Sequence, residues 1–144
     1  MAWNITPARE QDAAGVFDLL RQSGLPIDGL SQHLGTMLVA RDADAVVGSA
    51  ALEVYADGVL LRSVAVTPPR QHEGLGRQLT DAAIRLARDL HAPAIYLLTT
   101  TAEEYFPRFG FQRISRADVP PAVQTSIEFT AVCPASAIVM RKPL

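Results

Sequence analysis

The spacing of hydrophobic residues changes along the chain between a helical and a strand period, and these changes outline the secondary structure. One helical stripe lies within residues 13–20 and ends at Gly24 and Pro26, and a longer one runs from Gly74 to Leu90. Apolar runs of strand length lie at 3–6, 37–41, 45–55, 59–67, 94–99, 111–115 and 137–141. The pattern predicts an α+β chain with amphipathic helices and a sheet of six or seven strands.

Two long apolar strands flank Ala56-Asp57-Gly58, and Asp57-Gly58 is a strong signal for a tight hairpin. A bulge in either strand would move the register by one residue. A two-residue loop at Asp57-Gly58 predicts the facing pairs Tyr55 and Leu60, Glu53 and Arg62, and Leu52 and Ser63.

Two less regular segments lie near these strands. Residues 25–35 contain a proline and two glycines and predict a loop or short helix of the kind that covers a substrate pocket. Thr101-Ala102-Glu103-Glu104 fits a capping box, so a short helix is predicted from about Ala102 to before Gly110.

Composition narrows the class of protein. The chain has 144 residues and neither an internal repeat nor a linker, so we expect one domain, residues 1–144. A net charge of −2 does not favour a nucleic-acid partner. Cys133 is the sole cysteine, which excludes an internal disulfide and suits a reducing compartment. No segment resembles a signal peptide or a membrane span and no spacing predicts a metal site, so we expect a cytoplasmic protein without membrane or metal.

The segment from Val64 to Gly76 leads an apolar strand through two prolines into a glycine-marked helix start. The first N–H groups of a helix lack intrahelical partners and carry partial positive charge, so they bind anions. Gly74 and Gly76 let the backbone approach a ligand, and Arg70 and Arg77 add charge. The segment predicts a pyrophosphate site, and the alternative is an ordinary strand-to-helix turn with Gly74 near the N-cap.

The stretch Gln71-His72-Glu73-Gly74-Leu75-Gly76 resembles the Q/R-x-x-G-x-G/A signature of the GCN5-related N-acetyltransferases (GNAT). The preceding strand, the following helix, a buried strand and Gly110-Phe111 occur in the order that this family has. The resemblance implies an α/β/α sandwich, a twisted mixed sheet with helices on both faces, and acetyl-CoA in a V-shaped gap between the fourth and fifth strands. The implied cofactor-binding residues are Val64, Ala65, Val66, Gln71, His72, Glu73, Gly74, Leu75, Gly76, Arg77 and Phe106.

Acetyl transfer to an amine needs a neutral amine, a stabilised oxyanion and a proton for the leaving thiolate. Glu53 is the candidate base, because a carboxylate is unexpected in an apolar strand. The alternative is an ion pair with Arg62, which would lower the pKa of Glu53 and weaken it as a base. That pair would still suit a zwitterionic substrate, and Arg62, Ser63 and Thr99 are the candidate substrate-binding residues. Ser63 is otherwise a core hydroxyl.

The acid that protonates the thiolate departs from the family pattern. Family members commonly carry a tyrosine four residues before the glycine of the Gly-Phe pair, and here that position is Phe106. Tyr105 lies one residue earlier, and one residue rotates a helical side chain by about 100°. Tyr105 is the candidate acid, and water is the alternative.

Four segments look like the arsenic-resistance N-acetyltransferases, a branch of which acetylates amino acids that carry a phosphinate or arsinate. The resemblance implies a small amine as acceptor, such as a phosphinothricin- or arsinothricin-like amino acid, with direct attack in a ternary complex, and it allows a homodimer. The alternative is an acyl-CoA-binding sensor without catalysis. The segments are Leu52–Tyr55, Leu60–Val66, Tyr96–Ala102 and Cys133–Ala137.

Overall fold

The protein is represented by a computed structural model that describes residues 3–144. Two α-helices, α1 (Ala13–Gln22) and α2 (Leu75–Asp89), accompany the strands. The strands are β1 (Asn4–Pro7), β2 (Met37–Asp42), β3 (Ala45–Tyr55), β4 (Gly58–Val66), β5 (Ala94–Thr99), β6 (Gln112–Ile114) and β7 (Ile138–Pro143). Short helical turns occupy Glu10–Asp12, Leu30–Thr36, Pro68–Arg70, Phe106–Phe109, Arg116–Asp118, Val123–Thr125 and Glu128–Val132.

The seven strands form one sheet in the order β1-β2-β3-β4-β5-β7-β6. β1 to β4 form an antiparallel meander, and β7 pairs antiparallel with both β5 and β6. The contact between β4 and β5 is parallel, because α2 carries the chain back across the sheet. The expected mixed sheet is therefore confirmed.

Helices cover both faces of the sheet, as expected. Side chains alternate between faces along a strand, so Leu52, Leu61 and Leu97 pack with the apolar stripe of α2. Ala51 and Ala65 point to the other face and pack with α1. On that same face, residues 115–132 cover the ends of β4 and β5, where Leu60 and Tyr96 lie under Val123.

The predicted hairpin register between β3 and β4 is wrong by two residues. Tyr55 pairs with Gly58 rather than with Leu60, so the turn consists of Ala56 and Asp57. Gly58 is used for packing: a Cβ there would lie 2.9 Å from Cε2 of Tyr96. The Asp57 carboxylate accepts N–H groups at the start of the Val123–Thr125 turn, at 2.9 and 3.3 Å. Glu53 consequently faces Leu60, and Leu52 faces Leu61.

A β-bulge interrupts β4 just before its end. Arg62 pairs with Ala51, whereas Ala65 pairs with Ser49, so β4 has one more residue than β3 across this interval. Ser63 takes a φ of +61°, which is uncommon for a residue with a side chain. Its carbonyl accepts the hydroxyl of buried Ser49 at 2.7 Å.

The predicted capping box after β5 is also wrong. Thr99 rather than Thr101 supplies the side-chain oxygen, since Thr99 Oγ1 accepts the Ala102 N–H at 2.9 Å. The helical turn that follows begins at Phe106, later than predicted, and ends at Phe109, before Gly110 as predicted. Within residues 3–144, no helix has the length and hydropathy that crossing a bilayer requires.

Candidate functional site

A cavity of about 790 Å³ opens between β4 and β5. The two strands pair at Val59 with Ile95 and at Leu60 with Tyr96. The cavity is lined by the residues that follow these pairs. They are residues 61–66 of β4 and residues 97–102, which comprise the end of β5 and the three residues after it. The predicted gap between the fourth and fifth strands is therefore present, and the bulge at Ser63 lies on its wall.

One end of the cavity is formed by residues 64–77, which run from the end of β4 to the start of α2. We call this segment the cofactor wall. Gly74 is the N-cap with a φ of +87°, a conformation that glycine adopts without strain. The first N–H to bond back into the helix is that of Gln78, to Gly74 O at 3.1 Å, so the earlier N–H groups are available to an anion. Gly76 lines the cavity, and a Cβ there would extend into it. This end of the cavity fits a pyrophosphate.

Most of the predicted cofactor residues lie on this cavity, and two do not. The Gln71 side chain also donates to Val66 O at 3.0 Å, which joins the loop to the strand. Glu73 is exposed outside the cavity, and the Leu75 side chain is buried in the core, so either would act through its backbone. The predicted cofactor residues that line the cavity are Val64, Ala65, Val66, Gln71, His72, Gly74, Gly76, Arg77 and Phe106.

The other end of the cavity is organised by Arg62, whose side chain is fully buried. Its Nη1 donates to Glu53 Oε2 at 2.9 Å and to the Asp28 carbonyl at 2.8 Å. Its Nη2 donates to the Pro26 carbonyl at 3.1 Å, and its Nε donates to Ser63 Oγ at 3.2 Å. Arg62 therefore ties the predicted loop of residues 25–35 to the sheet, and Leu25 and Pro26 of this loop line the cavity.

Glu53 does form the ion pair with Arg62, even though the predicted register is wrong. The two residues are diagonal neighbours on one face rather than directly opposite. Glu53 is 1% exposed and does not line the cavity. Burial raises the pKa of Glu53, but hydrogen bonds from Ser126, Tyr55 and Arg62 outweigh burial and hold the pKa below its ordinary value. The role of Glu53 as a base stays a prediction.

A second carboxylate, Glu128, lines the cavity, and the sequence analysis did not identify it. Its Oε2 lies 3.4 Å from Arg62 Nε, and its backbone N–H donates to Ser126 Oγ at 3.1 Å. Burial raises the pKa of Glu128 to about 7. The available signal was a single glutamate between Ile127 and Phe129, the same kind of signal that had singled out Glu53.

Cys133 also lines the cavity, beside Glu128. Burial and the neighbouring carboxylate raise the pKa of the Cys133 thiol to about 11. The thiol is therefore protonated at neutral pH and is a poor nucleophile. Among residues 3–144, no three His, Cys, Asp or Glu side chains come together as a metal site.

Tyr105 and Phe106 both line the cavity. The Tyr105 hydroxyl lies beside the first turn of α2, 3.4 Å from where a Gly76 Cβ would be. Phe106 packs edge-on against Tyr105 and Phe111, with ring centroids 5.2 and 5.7 Å apart. The third candidate for substrate contact, Thr99, lines the cavity with its hydroxyl engaged by Ala102.

The mixed sheet splits between two parallel strands, and the start of α2 lies at the split. The sequence of residues 33–113, more than half of the chain, matches the family described as acetyltransferase (GNAT) domain. The chain belongs to this family. Membership confirms the expected family, a family of acetyltransferases.

A relative of known function matches part of the chain. Over 79 residues the chain is 37% identical to the amino-acid acetyltransferase of Mycobacterium tuberculosis (strain ATCC 25618 / H37Rv), covering 54% of this chain and 45% of that protein. The chain thus spans less than half the length of this curated relative.

Solved structures match over nearly the whole chain. Rv2747 from M. tuberculosis, solved in complex with CoA, has a TM-score of 0.82 at 25% identity and covers 98% of this chain and 99% of that one. N-acetylglutamate synthase from Neisseria gonorrhoeae, complexed with coenzyme A and N-acetyl-glutamate, has a TM-score of 0.84 over 99% of this chain. At 22% identity and 35% coverage of that chain, this second match establishes the fold.

Proposed function

We propose that this protein moves the acetyl group of acetyl-CoA to the amino group of a small amino acid, by direct attack in a ternary complex. The observation that carries this proposal is one continuous cavity with two chemically different ends. The cofactor wall offers backbone N–H groups to the pyrophosphate. The opposite end offers buried ionised side chains around Arg62, which suit a zwitterion.

An amino acid is favoured over a simple amine by the chemistry at Arg62. The guanidinium has five N–H groups, and four protein acceptors are assigned to them within the described residues. One N–H on Nη2 has no assigned acceptor, and a substrate carboxylate would reach it only after the loop of Pro26 and Asp28 moved, because the Arg62 side chain is 0% exposed. The likeness to an amino-acid acetyltransferase supports the same substrate class.

A phosphinothricin- or arsinothricin-like amino acid is the more specific proposal. It rests on the resemblance of four segments to the arsenic-resistance N-acetyltransferases. Such a substrate has an amino acid end and a second anionic group. We place the reaction in the cytoplasm, in a single domain of residues 1–144.

The test is release of the CoA thiol from acetyl-CoA in the presence of single amines. The panel contains L-glutamate, L-glutamine, L-phosphinothricin and, as a control without a carboxylate, ethylamine. We expect turnover with at least one amino acid and none with ethylamine. Tight CoA binding without turnover of any amine would instead identify an acyl-CoA sensor.

The cofactor wall is tested with Gly74→Asp. The new carboxylate would accept the free N–H groups of α2 and repel the pyrophosphate. We expect CoA affinity measured by calorimetry to fall about tenfold or more. Gly74→Ala is the matched control, since it shares the cost of the positive φ, about 1–2 kcal/mol, without the charge. Equal CoA affinity in the wild type and Gly74→Asp would contradict the pyrophosphate site.

A further inference from the structure

The two carboxylates beside Arg62 differ in what they face. Glu53 is enclosed by Tyr55, Ser126 and Arg62 and does not reach the cavity. Glu128 contacts the same guanidinium from the other side and lines the cavity with Ser63 and Cys133. A molecule in the cavity can therefore meet the carboxylate of Glu128 and not that of Glu53.

The two carboxylates also differ in how many protein donors they have: Glu53 has more than Glu128. The Tyr55 hydroxyl lies 2.5 Å from Glu53 Oε1, and Arg62 Nη1 lies 2.9 Å from Oε2, so both oxygens of Glu53 are occupied. Glu128 has Arg62 Nε at 3.4 Å from one oxygen and the Cys133 thiol nearby. A carboxylate with few protein donors has lone pairs left for a ligand that carries N–H groups.

The charge balance of the cluster points to a cationic ligand. Glu53 and Arg62 neutralise each other, so an ionised Glu128 adds one buried negative charge. The groups that face this charge are Arg62 and Glu53 from the sheet and Cys133 from its own segment, with His33 and Tyr55 behind Glu53 and Arg116 near Cys133. An ammonium group in the cavity would supply the missing counter-charge.

We propose that Glu128 binds the ammonium group of the acceptor and takes a proton from it, while Glu53 holds Arg62 in position. This inference rests on the proposed acetyl transfer. It makes Glu128, rather than Glu53, the catalytic base, and it gives Glu53 a positioning role. The base then comes from the segment before β7, about 75 residues from the position predicted by sequence, as the numbering of the two residues gives.

The reaction removes two protons from the substrate nitrogen. The substrate R–NH3⁺ gives one proton to the Glu128 carboxylate, and the free amine attacks the thioester carbonyl carbon. The C–N bond forms and the C–S bond breaks, and the second nitrogen proton ends on the CoA sulfur through water. Glu128 returns its proton to solvent, so one proton is released per acetyl group transferred.

The experiment compares wild type, Glu128→Gln and Glu128→Asp in the thiol-release assay across pH, with the amino acid of the panel that the wild type uses. For the wild type we expect kcat/KM to rise with pH and level off above about 7, because the base must be ionised. We expect Glu128→Gln to lose about 100-fold or more in kcat and to lose that pH limb. Glu128→Asp should keep the limb at a lower kcat.

Three controls separate the outcomes. Glu10→Gln removes an exposed carboxylate that does not line the cavity and should leave rate and pH profile unchanged. CoA affinity of Glu128→Gln should match the wild type, which shows that the variant is folded. Cys133→Ala removes a donor to the Glu128 carboxylate and should move the limb to higher pH without abolishing it, which tests the assignment even where Glu128→Gln does not fold.

The inference and the proposed function fail in different ways. A wild type that acetylates an amino acid, together with a Glu128→Gln variant of equal rate and equal pH profile, overturns the role of Glu128 alone. A wild type that acetylates none of the amines overturns both. Loss of the pH limb in Glu53→Gln but not in Glu128→Gln would return the base to Glu53.

Discussion

Glu53 and Glu128 place two carboxylates against the same guanidinium, that of Arg62, and the pKa of the first is lowered whereas that of the second is raised. On the β3 side, Glu53 receives hydrogen bonds from Ser126, Tyr55 and Arg62, and its pKa is lowered despite burial. On the C-terminal side, Glu128 has fewer donors, and burial raises its pKa to about 7. Burial disfavours the charge at both residues. Burial is the largest cause at both residues; at Glu53 the hydrogen bonds outweigh it, and at Glu128 they do not.

This difference gives the two residues opposite effects on stability with pH. A lowered pKa favours the folded state above the ordinary pKa, and that contribution is lost as the pH falls. A raised pKa favours the folded state below the ordinary pKa, and that contribution is lost as the pH rises through about 7. Glu53 therefore stabilises the fold at neutral pH, whereas ionisation of Glu128 weakens it.

The largest expected effect comes from removing the residue that the two sides share. Arg62→Met leaves Glu53 buried without its counter-ion, and breaking a buried pair this way costs about 3–5 kcal/mol. The free energy of unfolding from urea titration at about pH 8 measures it. The matched control is Arg77→Met, an exposed arginine, which should change stability by less than about 0.5 kcal/mol. A loss below about 1 kcal/mol in Arg62→Met would mean that Glu53 is not held as a buried anion.

A smaller effect distinguishes the two carboxylates directly. At about pH 8, Glu53→Gln should lower the free energy of unfolding by about 1–3 kcal/mol, because it weakens charged hydrogen bonds. Glu128→Gln should be as stable as the wild type or more stable, because it removes a buried charge. On acidification to about pH 5 the advantage of Glu128→Gln should shrink. Urea titrations at the two pH values measure this, and equal pH slopes for both variants would contradict the comparison.

The smallest effect concerns the far end of the cavity, where Tyr105 is the candidate acid. Its hydroxyl lies beside the first turn of α2, on the cofactor wall. We expect Tyr105→Phe to raise the KM for acetyl-CoA a few-fold, or about 1 kcal/mol, with little change in kcat. Steady-state kinetics with varied acetyl-CoA measures this. A large fall in kcat with unchanged KM would instead support Tyr105 as the acid for the thiolate.

The cofactor wall could be predicted from the sequence because its chemistry is local. A strand, two prolines and a glycine-marked helix start lie within residues 64–76, and the pyrophosphate binding proposed there needs only backbone N–H groups. The order of strands and helices followed from periodicity for the same reason. Such features depend on neighbours along the chain rather than on tertiary contacts.

The Arg62 cluster could not be predicted as a whole because its members come from distant segments. Loop carbonyls at Pro26 and Asp28, Glu53 on β3 and Glu128 before β7 meet at one guanidinium. The hairpin register failed for a related reason. Gly58 looked like a turn residue, but its lack of a side chain serves the contact with Tyr96, which lies 38 positions later in the numbering.

The divergence of β4 and β5 has a consequence for how the sheet holds together. β1 to β4 and β5 to β7 are joined edge to edge at the Val59 and Leu60 pairs, beyond which the cavity separates the strands. A cofactor arm lying in this gap would complete the interrupted hydrogen bonding and connect the two halves. By thermodynamic linkage, saturation at 100 times Kd adds about 2.7 kcal/mol to folding stability. Acetyl-CoA would then complete the sheet in the way that an added strand does, in addition to being a substrate. Amide exchange along the inner edges of β4 and β5 would slow when acetyl-CoA binds.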